Sequence, residues 1–591
     1  MAAYIPILPS TDISRAMFNF DAFGIADYRL VGTIRVSVSD TFSFFDYLNY
    51  NFFSELYTNG SDEVAWTTQN TDNIKEILNI YSQFANLQFQ FQGDYDFFNS
   101  GFDFTPNPAD VGRFSLSDIN ITWIDRFDGS FAGISGASSD GLIFGYPGAA
   151  GDVFLNAAAS MFEGDFTLNL NTRARQVLMH ELGHSLGLSH PHSSYSASGA
   201  TLTFDFMATK DLGFDQLGFH IDSASDMYKE YFTIMSYDDQ QSLLPGSGVL
   251  FHAHTPMILD VIALQQVYGE GPGSTGSGND TIQAGNAGYR TYFDKGGVDT
   301  IDLSTFYTEG AYLQMGVTIK DAAHLVGVAM SLQDAQTTIT FGGDPKHLRW
   351  FYGEYENAVG ASHGDLLVGN SLNNVIRGLG GDDVLQGGGG NDTLEGGSNA
   401  DRLDGGAGND RVLYKESSEG LIADLQQAWV NTGIAQGDTY ESIERLYGSN
   451  HADSLRGDTK ANTIWGAAGN DTLFGRGGND TLVGGRGHDT FVFDTTLGAA
   501  INKDRVTDFN VSDDSIKLEN DVFTALSALG KLAAASFYVG ARAHDASDRI
   551  IYNAANGALL YDADGKGGTA GIQFATLSAD LKLTRNDFIV I

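Results

Sequence analysis

The segment VLMHELGHSLGLSHPH, residues 177–192, gathers residue types that can hold a metal ion. His180 and His184 are four residues apart, so on a helix both imidazoles leave the same face and can share one ion. Glu181 follows the first of them and is placed to serve a water at that ion rather than the ion itself. Gly187 lets the chain leave the helix, and His190 can then swing back as a third ligand. Three imidazoles with one position left open describe a catalytic zinc site, because a structural zinc is normally closed by a fourth protein ligand. His192, His252 and His254 lack such company and read as surface residues.

A different cation chemistry repeats through the second half of the chain. Nine-residue units of the form G-G-x-G-x-D-x-U-x, with U apolar, run in phase over residues 360–413 and again over 448–492. The sixth position holds Asp365, Asn374, Asp383, Asp392, Asp401 and Asp410, then Asp453, Asn462, Asp471, Asp480 and Asp489; the eighth is apolar every time. The glycine-rich part can turn tightly, and the residues around the apolar one make a short strand pointing inward. Two units then form one turn of a flattened parallel coil, a β-roll. Stacked turns gather the aspartates and peptide carbonyls in the hard-oxygen setting that Ca²⁺ prefers, so these aspartates are the expected calcium ligands. Without the ion they would repel one another at close range, which makes the calcium structural. A glycine-rich disordered linker would have no reason to keep an apolar residue at every eighth position. Residues 414–447 number 34, not a multiple of nine, and are expected to break the coil. TGSGNDTIQ at 275–283 is an isolated related unit that could hold one more ion.

The elements that must position these groups can be read from the remaining pattern. An amphipathic helix is expected over residues 73–87, where Ile74, Ile77, Leu78, Ile80, Tyr81, Phe84 and Leu87 recur at helical spacing. A second helix, roughly 173–187, presents the histidines, and strands are expected at 32–38, 88–92, 119–124 and 151–156. This gives an α/β domain at 1–268 with a short N-terminal leader, then a calcium-binding β-roll at 269–494 interrupted at 414–447. A β-rich C-terminal region follows at 495–591, in which an Ala-rich stretch after Asn520 reads as helical. DADGKGG at 562–568 reads as a hairpin turn, since Gln573 stands where a calcium loop of the EF-hand type needs Glu.

Composition narrows the partners. Among 591 residues, 74 are acidic and 33 basic, a net charge of −41, so nucleic acid is not an expected partner, because phosphate binding needs a basic face. The chain is 42% hydrophobic and 12% aromatic, too apolar for a solvated acidic tail. Cysteine is absent, which excludes disulfides, thiolate metal sites and thiol nucleophiles. No run of 18 apolar residues offers a transmembrane helix, and the start MAAYIPILPSTDI does not read as a signal peptide, so export would need another route.

H-E-x-x-H-x-x-G-x-x-H at 180–190 and YFTIMSY at 231–237 resemble the metzincin motif and its methionine turn. With Pro191, the MSY form of the turn, the nonapeptide arrays and TPMILDVIALQQVYG at 255–269, most of the chain resembles the serralysin family of secreted zinc proteases. That resemblance implies an α/β metzincin catalytic domain followed by a calcium-bound parallel β-roll. It implies one catalytic Zn²⁺ on His180, His184 and His190, several structural Ca²⁺, and Glu181 as general base toward a zinc-activated water. Tyr237 would stabilise the oxyanion, and Met235 would floor the metal site. GDVFLN, comprising Gly151, Asp152, Val153, Phe154, Leu155 and Asn156, resembles the family's edge strand beside the cleft, where a peptide would lie extended. NDFIVI at 586–591 resembles the uncleaved signal of type I secretion.

The expectation is an extracellular zinc endopeptidase, monomeric, with protein or peptide substrates, a type I secretion apparatus as export partner, no nucleic acid and no membrane insertion. The stretch 191–234 is long for the family, so the cleft wall is expected to differ. The rival reading is a calcium-binding surface or adhesion protein with an inactive protease domain, against which the intact Glu181 argues. A second rival, a calcium-dependent cytolysin, usually carries a long apolar or acylated region, and none is evident in the sequence.

Overall fold

The computed structural model describes residues 3–6, 28–31, 33–39, 67–94, 119–124, 133–135, 153–156, 173–186, 188, 195–197, 200–202, 233–234, 253 and, with short gaps, 255–591. They fall into two compact units, Met1–Asp299 with Gln314–Tyr355, and Thr300–Leu313 with Glu356–Ile591.

In the first unit, helix α1 (Thr68–Phe84) starts at a reciprocal cap: Asn70 N donates to Thr67 Oγ1 at 3.2 Å, and Thr67 N donates to Asn70 Oδ1 at 3.0 Å. Ile74, Ile77, Leu78, Tyr81 and Phe84 form its buried stripe, as the spacing predicts. Helix α2 (Arg173–Ser185) carries the first two histidines and buries Leu178, Met179 and Leu182. Helix α3 (Ile258–Tyr268) buries Ile258, Leu259, Val261, Ile262, Ala263 and Leu264, so it is apolar around most of its circumference and belongs inside the unit. A five-stranded sheet runs in the order Gln88–Asp94, Thr33–Ser39, Ile119–Ile124, Val153–Asn156, Gly133–Ser135. Its first four strands are parallel and the last is antiparallel.

That order corrects one expectation. Val153–Asn156 pairs on both sides, and among the described residues the edge belongs to Gly133–Ser135. The edge strand is a three-residue segment, GIS, too short to leave a period in the sequence.

The second unit is a parallel β-roll. Strands of three residues pair with the strand eighteen residues on, for example Leu366–Val368 with Val384–Gln386 and Thr463–Trp465 with Thr481–Val483. Their central residues Leu367, Ile376, Leu385, Leu394, Leu403, Val412, Leu455, Ile464, Leu473, Leu482 and Phe491 are all fully buried. Each nonapeptide thus contributes one turn and one inward side chain, and two complete a coil.

The segment 414–447 does not break the coil as expected; it breaks one face. On one face Arg411–Leu413 pairs directly with Arg445–Tyr447, which pairs with Thr463–Trp465, so the sheet runs through unbroken. On the other, Arg402–Asp404 pairs with Thr439–Glu441 and that sheet ends, while Ile422–Asp424 opens a new one with Ser454–Arg456. Arg476 fastens the extra loop, donating to both oxygens of the buried Asp424 at 2.7 and 2.6 Å.

Two further expectations meet the C-terminal region. The Ala-rich stretch after Asn520 is not an α-helix; it holds only a single 3-10 turn at Ala534–Ser536, because Phe523, Leu526 and Leu532 are each buried along an irregular path. Residues 562–568 do turn a hairpin, between Ala558–Tyr561 and Ile572–Thr576. Phe588–Val590 is a strand between Ser515–Leu518 and Gly530–Lys531, with Phe588 fully buried, so the end of the chain is part of the roll's packing.

Leu473 lies in register between Leu455 and Phe491. Its replacement by Ala is expected to cost roughly 2–5 kcal/mol, read as a lowered urea midpoint of the calcium-loaded protein; an unchanged midpoint would mean that this interior is not close-packed.

Candidate functional site

The sixth-position residues form a ladder. The backbone N–H of each donates to Oδ1 of the one eighteen residues on: Asp365 to Asp383 at 2.8 Å, Asp383 to Asp401 at 2.9 Å, Asn374 to Asp392 and Asp392 to Asp410 at 2.7 Å. The second array repeats this from Asp453 to Asp471 at 2.8 Å, Asn462 to Asp480 at 2.7 Å and Asp471 to Asp489 at 3.0 Å. One carboxylate oxygen is therefore spoken for. The other, Oδ2 of Asp383, Asp392, Asp401, Asp410, Asp471 and Asp480, is buried and accepts no hydrogen bond. Such an oxygen is costly to bury alone. A hard dication with oxygen ligands removes that cost, so the residues present fit Ca²⁺. The same oxygen lies over the glycine that opens its unit: a Cβ on Gly378 would stand 2.0 Å from Asp383 Oδ2, and one on Gly387 2.3 Å from Asp392 Oδ2.

Other rungs are closed by protein. Asp365 accepts from Ala311 N and Ala361 N, and Asp453 from Leu421 N and Ser449, so both oxygens of each are occupied. Asn374 Nδ2 donates to Glu356 O at 2.9 Å and Asn462 Nδ2 to Ile443 O at 3.3 Å, supplying a donor where the aspartates need an ion.

The repeat pattern missed four ladder members. Asp401 N donates to Asp438, Asp410 N to Glu444, Asp480 N to Asp504 and Asp489 N to Asp514, at 2.9–3.1 Å. Their separations of 37, 34, 24 and 25 residues hide them from a nine-residue phase. Each nevertheless stands two residues before the residue in register with a buried eighth-position side chain, Tyr440, Leu446, Val506 and Ile516, and that shorter signal would have found them.

The first unit holds a related cluster. Oxygens of Asp280, Asp294 and Asp299 lie within 4.8 Å of one another, Asp280 N donates to Asp299 Oδ1 at 2.7 Å, and Asp280 Oδ2 is buried without a hydrogen bond. Asp280 is the sixth position of the isolated unit at 275–283, which thus has the makings of a calcium site.

In the same unit α2 buries His180 and Glu181. His180 Nδ1 lies 2.7 Å from Ile234 O. A carbonyl only accepts, so Nδ1 carries the proton and Nε2 keeps its lone pair, the tautomer a metal ligand needs. Three tethers hold this arrangement. Tyr81 Oη on α1 donates to Met179 O at 2.6 Å, Tyr268 Oη on α3 donates to Leu186 O at 2.7 Å, and Arg175 forms a 3.0 Å ion pair with Glu76. His184 follows one turn after His180 on the backbone of α2. Its side chain, and Gly151, Asp152, Gly187, His190, Met235 and Tyr237, lie outside the described residues.

The RTX calcium-binding nonapeptide repeat family matches overlapping windows that span 359–412 and 447–491. A metallopeptidase AprA of Pseudomonas marginalis is 30% identical over 291 residues, 44% of this chain and 53% of that protein. A metalloprotease AprA of Pseudomonas entomophila (strain L48) is 28% identical over 54% of this chain and 63% of its own, and a serralysin of Photorhabdus luminescens 27% over 38% and 41%. The chain spans about half the length of these relatives. Serralysin-type likeness and RTX repeats are thus found on one chain, as its motifs indicate; the repeats support calcium binding, and the metalloprotease relatives imply a second metal.

Burial lifts the ladder carboxyls above the usual Asp range, to about 6 for Asp392, about 7 for Asp383 and Asp471 and about 8 for Asp401; neighbouring aspartates add to the rise. A carboxyl raised on folding stabilises the fold below its unfolded value near ~4 and loses that contribution as pH climbs through its folded value. Calcium needs the ionised form, so its binding must expel protons. In chelator, the β-signal of the roll is expected to be stronger at about pH 5 than at about pH 8; with calcium, the half-saturating concentration falls over that range. Circular dichroism across a pH series reads both, and a calcium midpoint indifferent to pH would contradict ligation by the ladder.

Proposed function

We propose that this chain is a secreted, calcium-stabilised zinc endopeptidase of the serralysin type, with a metzincin domain at 1–268, the roll at 269–494 and an export-competent C-terminal region at 495–591. The observation that carries this reading is the buried His180–Glu181 pair, whose imidazole is held at Nδ1 by the Ile234 carbonyl, which fixes the tautomer that suits metal ligation through Nε2. His180, His184 and His190 would hold the zinc, which when bound supplies a Lewis acid able to make a water acidic near neutral pH. Glu181 takes the proton from the attacking water and returns it to the leaving amine. Tyr237 would donate to the developing oxyanion, and Met235 would floor the site. The substrate backbone would lie extended, and Gly133–Ser135, which holds the sheet edge among the described residues, is the strand it would pair with.

Low calcium inside the producing cell would leave the ladder aspartates without their counter-ions and the roll unfolded; the ~10⁻³ M calcium outside would fold it. Export would then be read from residues 586–591 before Phe588–Val590 is buried as a strand. No helix among the described residues is long and apolar enough to cross a membrane.

Glu181→Gln is expected to lower casein hydrolysis by ~10²–10⁴-fold, with zinc content and the calcium-dependent circular dichroism of the roll unchanged. Hydrolysis that survives this substitution, or survives complete removal of zinc, would overturn the proposal.

A further inference from the structure

We infer that Asp260 is a positioning residue for the zinc site, fixing residue 234 from α3 and, through the Ile234 carbonyl, the ring of His180. The inference rests on the reading of His180 as a metal ligand. Asp260 is the one charged residue of α3 and is completely buried. Its Oδ1 accepts from Thr233 Oγ1 at 2.5 Å, and its Oδ2 accepts from Ile234 N and from Met257 N, both at 2.8 Å. The bond from Met257 is an ordinary cap at the start of α3 and could be made by an exposed side chain. The other two reach back 27 and 26 residues to a segment that α3 has no need to cap.

That segment ends on the metal site. Asp260 holds Ile234 by its N–H, and Ile234 holds His180 Nδ1 by its C=O at 2.7 Å, so the same residue is gripped on both sides. Thr233 adds a second point of attachment, which stops the segment from pivoting about the first. Thr233 and Ile234 are themselves fully buried, leaving no water to take over either bond. A buried carboxylate is worth keeping in an apolar helix only where its lone pairs are met and its geometry is used. Here the geometry sets the direction of Nε2, and ligand positions for zinc tolerate only about ±0.2 Å.

The alternative is that Asp260 merely stabilises the fold. Zinc affinity, measured by competition with a chromophoric chelator, and the visible spectrum of the cobalt-substituted protein separate the two, because a purely structural role moves neither in the folded protein. Asp260→Asn turns an amide toward donors that need an acceptor and is expected to weaken zinc binding ~10–100-fold and to shift the cobalt bands. Thr233→Val removes one bond and is expected to produce a smaller loss, while Thr233→Ser, which keeps the hydroxyl, restores wild-type affinity; this pair carries the test should Asp260→Asn not fold. Wild-type affinity and an unmoved cobalt spectrum in Asp260→Asn, or in Thr233→Val, would overturn the inference. If the wild type holds zinc no better than His180→Ala, the metal reading of the site falls, and this inference with it.

Discussion

One carboxylate oxygen per rung governs the second unit. The ladder fixes Oδ1 of Asp383, Asp392, Asp401, Asp410, Asp471 and Asp480 by a backbone N–H from the preceding coil, which turns their Oδ2 inward, over a glycine, where no protein donor reaches it. The glycine is there because a Cβ would occupy the oxygen's place, and the apolar eighth residue is there because the short strand after the turn must bury something. Repeat length and glycine content follow from this geometry, and a hard dication suits the oxygen it leaves unmet. Where the ladder cannot use a cation it supplies a donor of its own, as Asn374 and Asn462 do.

The helices of the first unit handle several buried polar groups by other means. Its helices are mostly apolar inside, and several of the buried polar groups among them meet a defined partner. Tyr81 and Tyr268 donate to carbonyls at Met179 and Leu186, just before and just after the stretch that carries His180, Glu181 and His184. Asp260 meets three donors, and burial lifts its carboxyl to about 7 even so. The cost of sinking these groups is met by directional bonds, and the directions converge on α2. The ladder leaves buried oxygens that suit an ion, whereas Tyr81, Tyr268 and Asp260 make hydrogen bonds inside the chain.

Much of this could be read from residue order alone, and the reasons are specific. The roll was legible because one physical unit recurs in phase, so Leu367 and Leu482 announce the same role more than a hundred residues apart. Helix α1 was legible because its buried stripe keeps a 3.6-residue period. What escaped were features set by tertiary geometry. The edge position of Gly133–Ser135 depends on which strand comes next in space. Asp438, Glu444, Asp504 and Asp514 keep their place on the ladder while the chain between rungs changes length. The expected break at 414–447 took loss of phase for loss of structure, whereas Arg411–Leu413 and Arg445–Tyr447 pair across the extra residues. In α3, Asp260 looked like one acid in an apolar run, and only its partners at 233 and 234 give it a meaning.

The central claim is that the inward oxygens of the ladder are calcium ligands. Anomalous diffraction from crystals grown with calcium tests it most directly. Scattering peaks are expected about 2.3–2.6 Å from Oδ2 of Asp383, Asp392, Asp401, Asp410, Asp471 and Asp480. Well-ordered coils whose six oxygens have no such peak beside them would contradict it.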